Sequence, residues 1–131
     1  MSLRSYRDLV VWQRSMELAE ELYRLCGAMP RYEIFGVTSQ LRRAASSIPA
    51  NIAEGYGRGT GADRARFYEY ALGSAREARE WYRAAAEVLD SDLARDRVAR
   101  LDVTVSLLIG LVRDARTRTI RRDALRNGAG R

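Results

Sequence analysis

The stretch Ser46–Gly59, SSIPANIAEGYGRG, sets a proline inside an apolar helical spacing, and whether a helix survives it decides how many helices the chain has. Ile34, Val37, Leu41, Ala45, Ile48 and Ile52 recur every three or four residues, and the register passes through Pro49 without a break. Although the residue before a proline is biased away from helix, an unbroken register predicts one helix that continues across Pro49 with a local kink. The following GYGRGTG holds four glycines in seven residues and predicts a firm stop and a flexible connection.

Working outward, the chain reads as helices on both sides. Ser5 with Asp8 has the form of a capping box and predicts the start of a first helix. Its seam is Leu9, Trp12, Met16, Ala19, Tyr23 and Cys26, with a second stripe of Val11, Leu18, Leu22 and Leu25 beside it; Gly27 and Pro30 end it. Thr60 and Asp63 form a second box before a third helix, whose seam is Ala65, Tyr68, Leu72, Ala75, Arg79, Tyr82, Ala86 and Leu89. A flanking stripe of Phe67, Ala71, Ser74, Ala78, Trp81, Ala85 and Val88 gives that helix a second apolar surface. Asp90–Asp92 supplies caps for a fourth helix with the seam Val98, Leu101, Val105, Leu108, Val112 and Ala115, and Leu107 and Leu111 beside it.

Four amphipathic helices with short connections predict an all-α fold, an antiparallel up-down-up-down four-helix bundle. One domain over residues 1–120 is expected, followed by a basic, frayed tail over 121–131. The spare stripes on the first and third helices would be exposed in a monomer, so self-association is expected. With no apolar run long enough for a membrane span and none resembling a signal peptide, a soluble cytoplasmic protein with no membrane partner is expected.

Charge narrows the partners. All 23 basic residues are arginine, against 17 acidic ones, for a net charge of +6. Residues 113–131 hold seven arginines against two aspartates, so the excess is concentrated at the C-terminus. Such a segment meets RNA, DNA or an acidic partner, or else is a solvated helix end favoured by the helix dipole.

There is no histidine, which removes the commonest general base and metal ligand, so no enzyme, cofactor or metal is expected. Glu17, Glu20 and Glu21, or Glu77 and Glu80, stand at helical spacing, but pairing with nearby arginines is the ordinary use of that pattern. GYGRGTG follows a helix and lacks a GK[ST] ending, so it is no Walker loop. Cys26 has no partner in the chain and reads as core.

Two polar constellations remain. Gln40, Ala44, Ser47, Asn51 and Glu54 form a narrow stripe along the second helix, and Glu54 is the expected partner of Arg79. Gln40, Ser47, Asn51, Glu54 and Arg79 therefore read as a packing network, with Arg79 snorkelling to the surface as the alternative. Arg42 and Arg43 flank the second helix, and Arg58, Arg64 and Arg66 follow it. Antiparallel topology brings these last three towards Arg113, Arg116, Arg118, Arg121 and Arg122, a surface suited to a polyanion.

YRDLVVWQRSMELAEELYRL, YEIFGVTSQLRRAASSIPANIAEGYGRG and FYEYALGSAREAREW closely resemble the four-helix-bundle proteins encoded by intervening sequences in bacterial 23S rRNA genes. The resemblance covers roughly residues 6–112. It implies a homopentameric barrel, and kinship with the accessory variability determinant proteins of diversity-generating retroelements, which bind nucleic acid beside a reverse transcriptase. It brings no catalytic residues. Ser39, Gln40, Arg42, Arg43, Ser47, Pro49, Asn51, Glu54, Gly55, Gly73, Ser74 and Glu77 match the family motif, and Arg79 departs from it. The expected function is a non-enzymatic, oligomeric RNA- or DNA-binding accessory protein; the alternative is a scaffold for an acidic protein partner.

Overall fold

The computed structural model describes the backbone of residues 5–27, 36–87 and 90–129, with their side chains except those of 119–124, 126 and 129. Four helices pack together: α1 (Val10–Gly27), α2 (Val37–Tyr56), α3 (Gly61–Ala85) and α4 (Ser91–Ala129), with no strand among the described residues. Each pairs antiparallel with its neighbours. Ser47 of α2 meets Ser74 of α3 while Gly55 meets Tyr68, and Arg79 of α3 meets Asp102 of α4 while Glu69 meets Arg116. Tyr23 of α1 likewise lies at Arg42 of α2, and Glu21 at Arg100 of α4.

α2 runs unbroken across Pro49, which is buried within it. Pro49 removes one N–H from the helical ladder. The flanking Ile48 and Ile52 are both fully buried, and such burial contributes about 1.5–3 kcal/mol per side chain. Ile34, the expected start of this seam, lies outside the described residues.

The Ser5–Asp8 capping box forms, but it caps a 3₁₀ turn at Tyr6–Asp8 instead of α1. Leu9 is extended and α1 begins at Val10, an offset that lays Tyr6 edge-on to Trp12 at 5.3 Å. In α1 most of the burial falls on the second stripe, joined from the expected seam by Ala19. Val11, Ser15, Leu18, Ala19 and Leu22 face the core, whereas Trp12 and Met16 are half-buried and Tyr23 is 58% exposed. Ser15 completes the spacing of that core stripe, its hydroxyl donating to the Trp12 carbonyl at 2.9 Å, so a polar residue hid the true seam.

α3 is thin where it packs. Ala71, Ala75 and Ala78 are fully buried, which lets α2 and α4 approach its backbone closely. Gly55 does the same from the α2 side: a Cβ there would lie 2.8 Å from the Tyr68 ring. Gly55 is therefore a packing residue inside α2 and not part of the loop, correcting its placement in the glycine-rich connection.

Asp90 Oδ1 accepts from the N–H groups of Asp92 and Leu93 to start α4, and Leu101, Val105, Leu108, Val112 and Ala115 reach the core as the spacing predicts. The helix does not end there. Fourteen further residues continue helically to Ala129, roughly 21 Å past the last buried position among the described side chains. Among the described residues no helix is long and apolar enough to cross a membrane.

Candidate nucleic-acid interface

Three residues separate the C-cap of α2 from the start of α3. The Gly57 N–H reaches Ala53 O at 3.3 Å, Arg58 N–H reaches Gly55 O at 3.2 Å, and the Thr60 hydroxyl accepts from Asp63 N–H at 3.2 Å. This tight corner fixes where its arginines point. Arg58 pairs with Glu54 and lies 4.4 Å from the centre of the Phe67 ring, which Arg66 approaches at 5.1 Å from its own position. Arg66 also pairs with Asp63 at 3.7 Å.

Arg64 is held differently. Its Nε donates to the Arg58 carbonyl at 2.9 Å and its guanidinium lies 5.5 Å from the Tyr56 ring centre. Among the described residues it makes no ion pair. Aromatic faces and backbone oxygens attract a guanidinium without neutralising it, so its charge is retained.

α4 supplies the opposite wall. Arg118 pairs with Asp114 at 3.2 Å, and both line a cleft of about 620 Å³ together with Leu9, Arg64, Tyr68 and Leu111. The Tyr68 phenol sits among these charges. Burial raises its pKa first; Arg64 and Arg118 oppose the rise, while Tyr56 and Asp114 add to it.

Thus Arg58, Arg64, Arg66 and Arg118 gather at one corner, as topology predicted. Arg116 is nearby but closes on Glu69 of α3, and Arg113 is exposed. Arg121 and Arg122 follow on α4, their side chains outside the described ones. Arg42 and Arg43 do not join the group: they lie roughly 20 Å back along α2, where Arg42 is 4.8 Å from the Tyr23 ring centre and Arg43 is exposed.

The expected packing network is corrected in membership. Ser47, Asn51 and Ser74 form it: Asn51 Nδ2 donates to both the carbonyl and the hydroxyl of Ser47 at 2.9 Å, and Ser74 Oγ donates across to Ser47 Oγ at 2.9 Å. Gln40 is exposed, and Glu54 turns to Arg58. Arg79 does not meet Glu54. It faces α4, where it donates to Asp102 at 2.9 Å, because a long side chain on the seam's edge reaches the surface instead of leaving charge inside.

A second charged cluster escaped sequence reasoning. Arg100 forks onto both carboxylate oxygens of Glu21 at 2.6 and 3.3 Å, and Arg97 adds a contact at 3.3 Å. The hydrogen bond to Glu21 is the leading cause raising the Arg100 pKa. The partners are 79 residues apart, and no local spacing announces them. Among the described residues no three Asp, Glu or Cys side chains group as a metal cage.

Comparison with known proteins joins this geometry to a family. The family model described as 23S rRNA-intervening sequence protein matches residues 7–100. The chain belongs to that family. The matched span includes Arg58, Arg64 and Arg66 but ends before Arg118. No curated protein matches the chain. Among solved structures it is similar to a protein of unknown function from the S23 ribosomal protein family of Bacteroides thetaiotaomicron VPI-5482. The TM-score is 0.70 at 23% identity, covering 79% of this chain and 98% of the other, which shows a common fold.

Proposed function

We propose that this member of the 23S rRNA-intervening sequence family is a non-enzymatic accessory protein that binds RNA or DNA as a homo-oligomer. The observation that carries the reading is the corner where Arg58, Arg64, Arg66 and Arg118 converge, with Arg64 in no ion pair among the described residues. Guanidiniums arranged this way engage phosphate oxygens, fixing position with little reading of sequence. The sequence of the α4 extension carries Arg121, Arg122 and Arg126 beyond the last buried position.

Self-association rests on a separate surface. Trp12, Met16 and Tyr23 of α1 and Pro49, Ala50 and Ala53 of α2 line an apolar groove of about 330 Å³, the kind of patch that marks a protein contact. Family resemblance favours five subunits and an auxiliary role beside a nucleic-acid enzyme such as a reverse transcriptase.

The test is titration of labelled single-stranded RNA, single-stranded DNA and duplex DNA across salt concentrations, with subunit number from light scattering. Binding at low salt is expected, with log K falling linearly against log salt by about 0.9 per duplex phosphate engaged. Joint replacement of Arg58, Arg64, Arg66 and Arg118 by alanine abolishes it. No shift of any probe at low salt, or binding indifferent to salt, overturns the reading.

A further inference from the structure

The corner is more than a basic surface, because two of its arginines, Arg64 and Arg118, line a recess. Leu9, Tyr56, Tyr68 and Leu111 give the cleft apolar and aromatic lining, Arg64 lies 5.5 Å from the Tyr56 ring centre, and Arg118 paired with Asp114 lines the α4 side. A volume of about 620 Å³ falls in the usual range of small-ligand sites, roughly 300–1,000 Å³. Phosphate alone has no use for an apolar interior. A ligand that fits the whole recess is flat and apolar on its faces, polar at its edge and anionic beside it.

We propose that the cleft between α3 and α4 takes one unpaired nucleotide, its base inserted against Leu9, Tyr68 and Leu111 and its phosphate held by Arg64 and Arg118. Bases stack on aromatic rings and on guanidinium planes, and Arg64 over Tyr56 offers both at the rim. Asp114 presents an acceptor for a base amino group, although its charge opposes the phosphate. A duplex base, paired and stacked, enters such a recess only after extrusion from the helix. The site therefore selects single strands over duplex. This inference rests on the nucleic-acid reading above and goes beyond it by naming the ligand unit.

The test uses the full chain, a short single strand carrying one 2-aminopurine, the same sequence as duplex, and a free nucleoside 5′-monophosphate as competitor. Expected are quenching of the 2-aminopurine on binding and single-strand affinity roughly tenfold above duplex at equal salt, the worth of about one stacked base. Gly59→Leu adds a large side chain to the cleft lining without crowding the fold, since a Cβ at Gly59 meets nothing within 4 Å and its φ is not positive. It brings single-strand affinity down to that of duplex, with folding checked by circular dichroism. Displacement of the strand by equimolar monophosphate identifies a free nucleotide as the occupant; displacement only by another strand identifies a strand. Equal affinity for both forms, with Gly59→Leu indistinguishable from the parent, overturns this inference and leaves the general reading standing. Failure to bind any nucleic acid overturns both.

Discussion

At the start of α4, Arg97 and Arg100 close on Glu21 of α1 with side chains 17% and 29% exposed, whereas at the α2–α3 corner Arg64 rests on a ring and a backbone oxygen. The first arrangement neutralises its guanidiniums and ties two helices that are distant in sequence. The second orients a guanidinium and leaves its charge available. One residue type thus serves as a tie at one end of the bundle and as a displayed charge at the other. The comparison separates arginines whose loss costs stability from those whose loss costs binding.

The largest effect is expected where the corner depends on shape instead of charge. Gly55→Leu drives a side chain into Tyr68, whose ring a Cβ already approaches to 2.8 Å. Overpacking of this kind costs about 3 kcal/mol, and thermal unfolding should register it as a large fall in Tm. An unchanged Tm breaks the claim that the corner is held by close helix contact.

The tied end carries its own signature, in alkali. Tyr82 lies 1% exposed beneath the ion pairs, and its hydroxyl finds no hydrogen-bond partner among the described residues. Burial pushes its pKa up to about 12; Arg97 and Arg100 oppose the rise, while Cys26 and Glu21 add to it. Because the folded form holds its proton more tightly than the unfolded form, this stability is complete below about pH 10 and is lost as pH rises towards 12. The two-unit difference amounts to about 3 kcal/mol. Denaturant titrations of Tyr82→Phe should keep the parent's stability at pH 7 and show a shallower loss between pH 10 and 12. Identical slopes remove Tyr82 as the source.

Next in size is Glu21→Gln, which keeps the shape of the tie and removes its charge. Arg100 and Arg97 lose the charge of their half-buried acceptor and one of its two oxygens, and a charged hydrogen bond is worth about 2 kcal/mol. Stability should fall by that amount with nucleic-acid binding unaffected. A change in binding with no change in stability would reverse the roles assigned to the two ends.

Much of this architecture was legible in the sequence, for reasons that also mark where legibility stops. The unbroken register from Val37 to Ile52 carried α2 across Pro49, and from Leu101 to Ala115 the α4 seam buries as its spacing predicts. α1 has two apolar stripes, and spacing alone cannot rank them; the decision lay with Ser15, a polar residue satisfied by its own backbone. Gly55 looked like a loop residue because glycine signals both turns and close contacts, and only the position of Tyr68 distinguishes them. At the candidate site, antiparallel topology sufficed to gather Arg58, Arg64, Arg66 and Arg118. It gave no account of the partners that modulate them, since Glu54, Phe67 and Asp114 act through side-chain direction. Spacing leaves both readings of Arg79 open for the same reason: its helix faces α2 and α4 at once, and the side chain reaches outward to Asp102 on the second instead of Glu54 on the first.

The smallest effect on stability is expected at Arg64, and it is the sharpest probe of the comparison. Arg64→Ala removes one hydrogen bond to the Arg58 carbonyl and one ring contact at the surface, so unfolding free energy should move by about 0.5 kcal/mol or less. Binding should respond out of proportion. If Arg64 displays its charge to phosphate, the salt slope measured on duplex DNA falls by about one for this single substitution, and Arg64→Lys restores the slope while losing the contact with the Tyr56 ring. If Arg64 were instead a tie like Arg100, the alanine variant would melt earlier and leave the slope where it was.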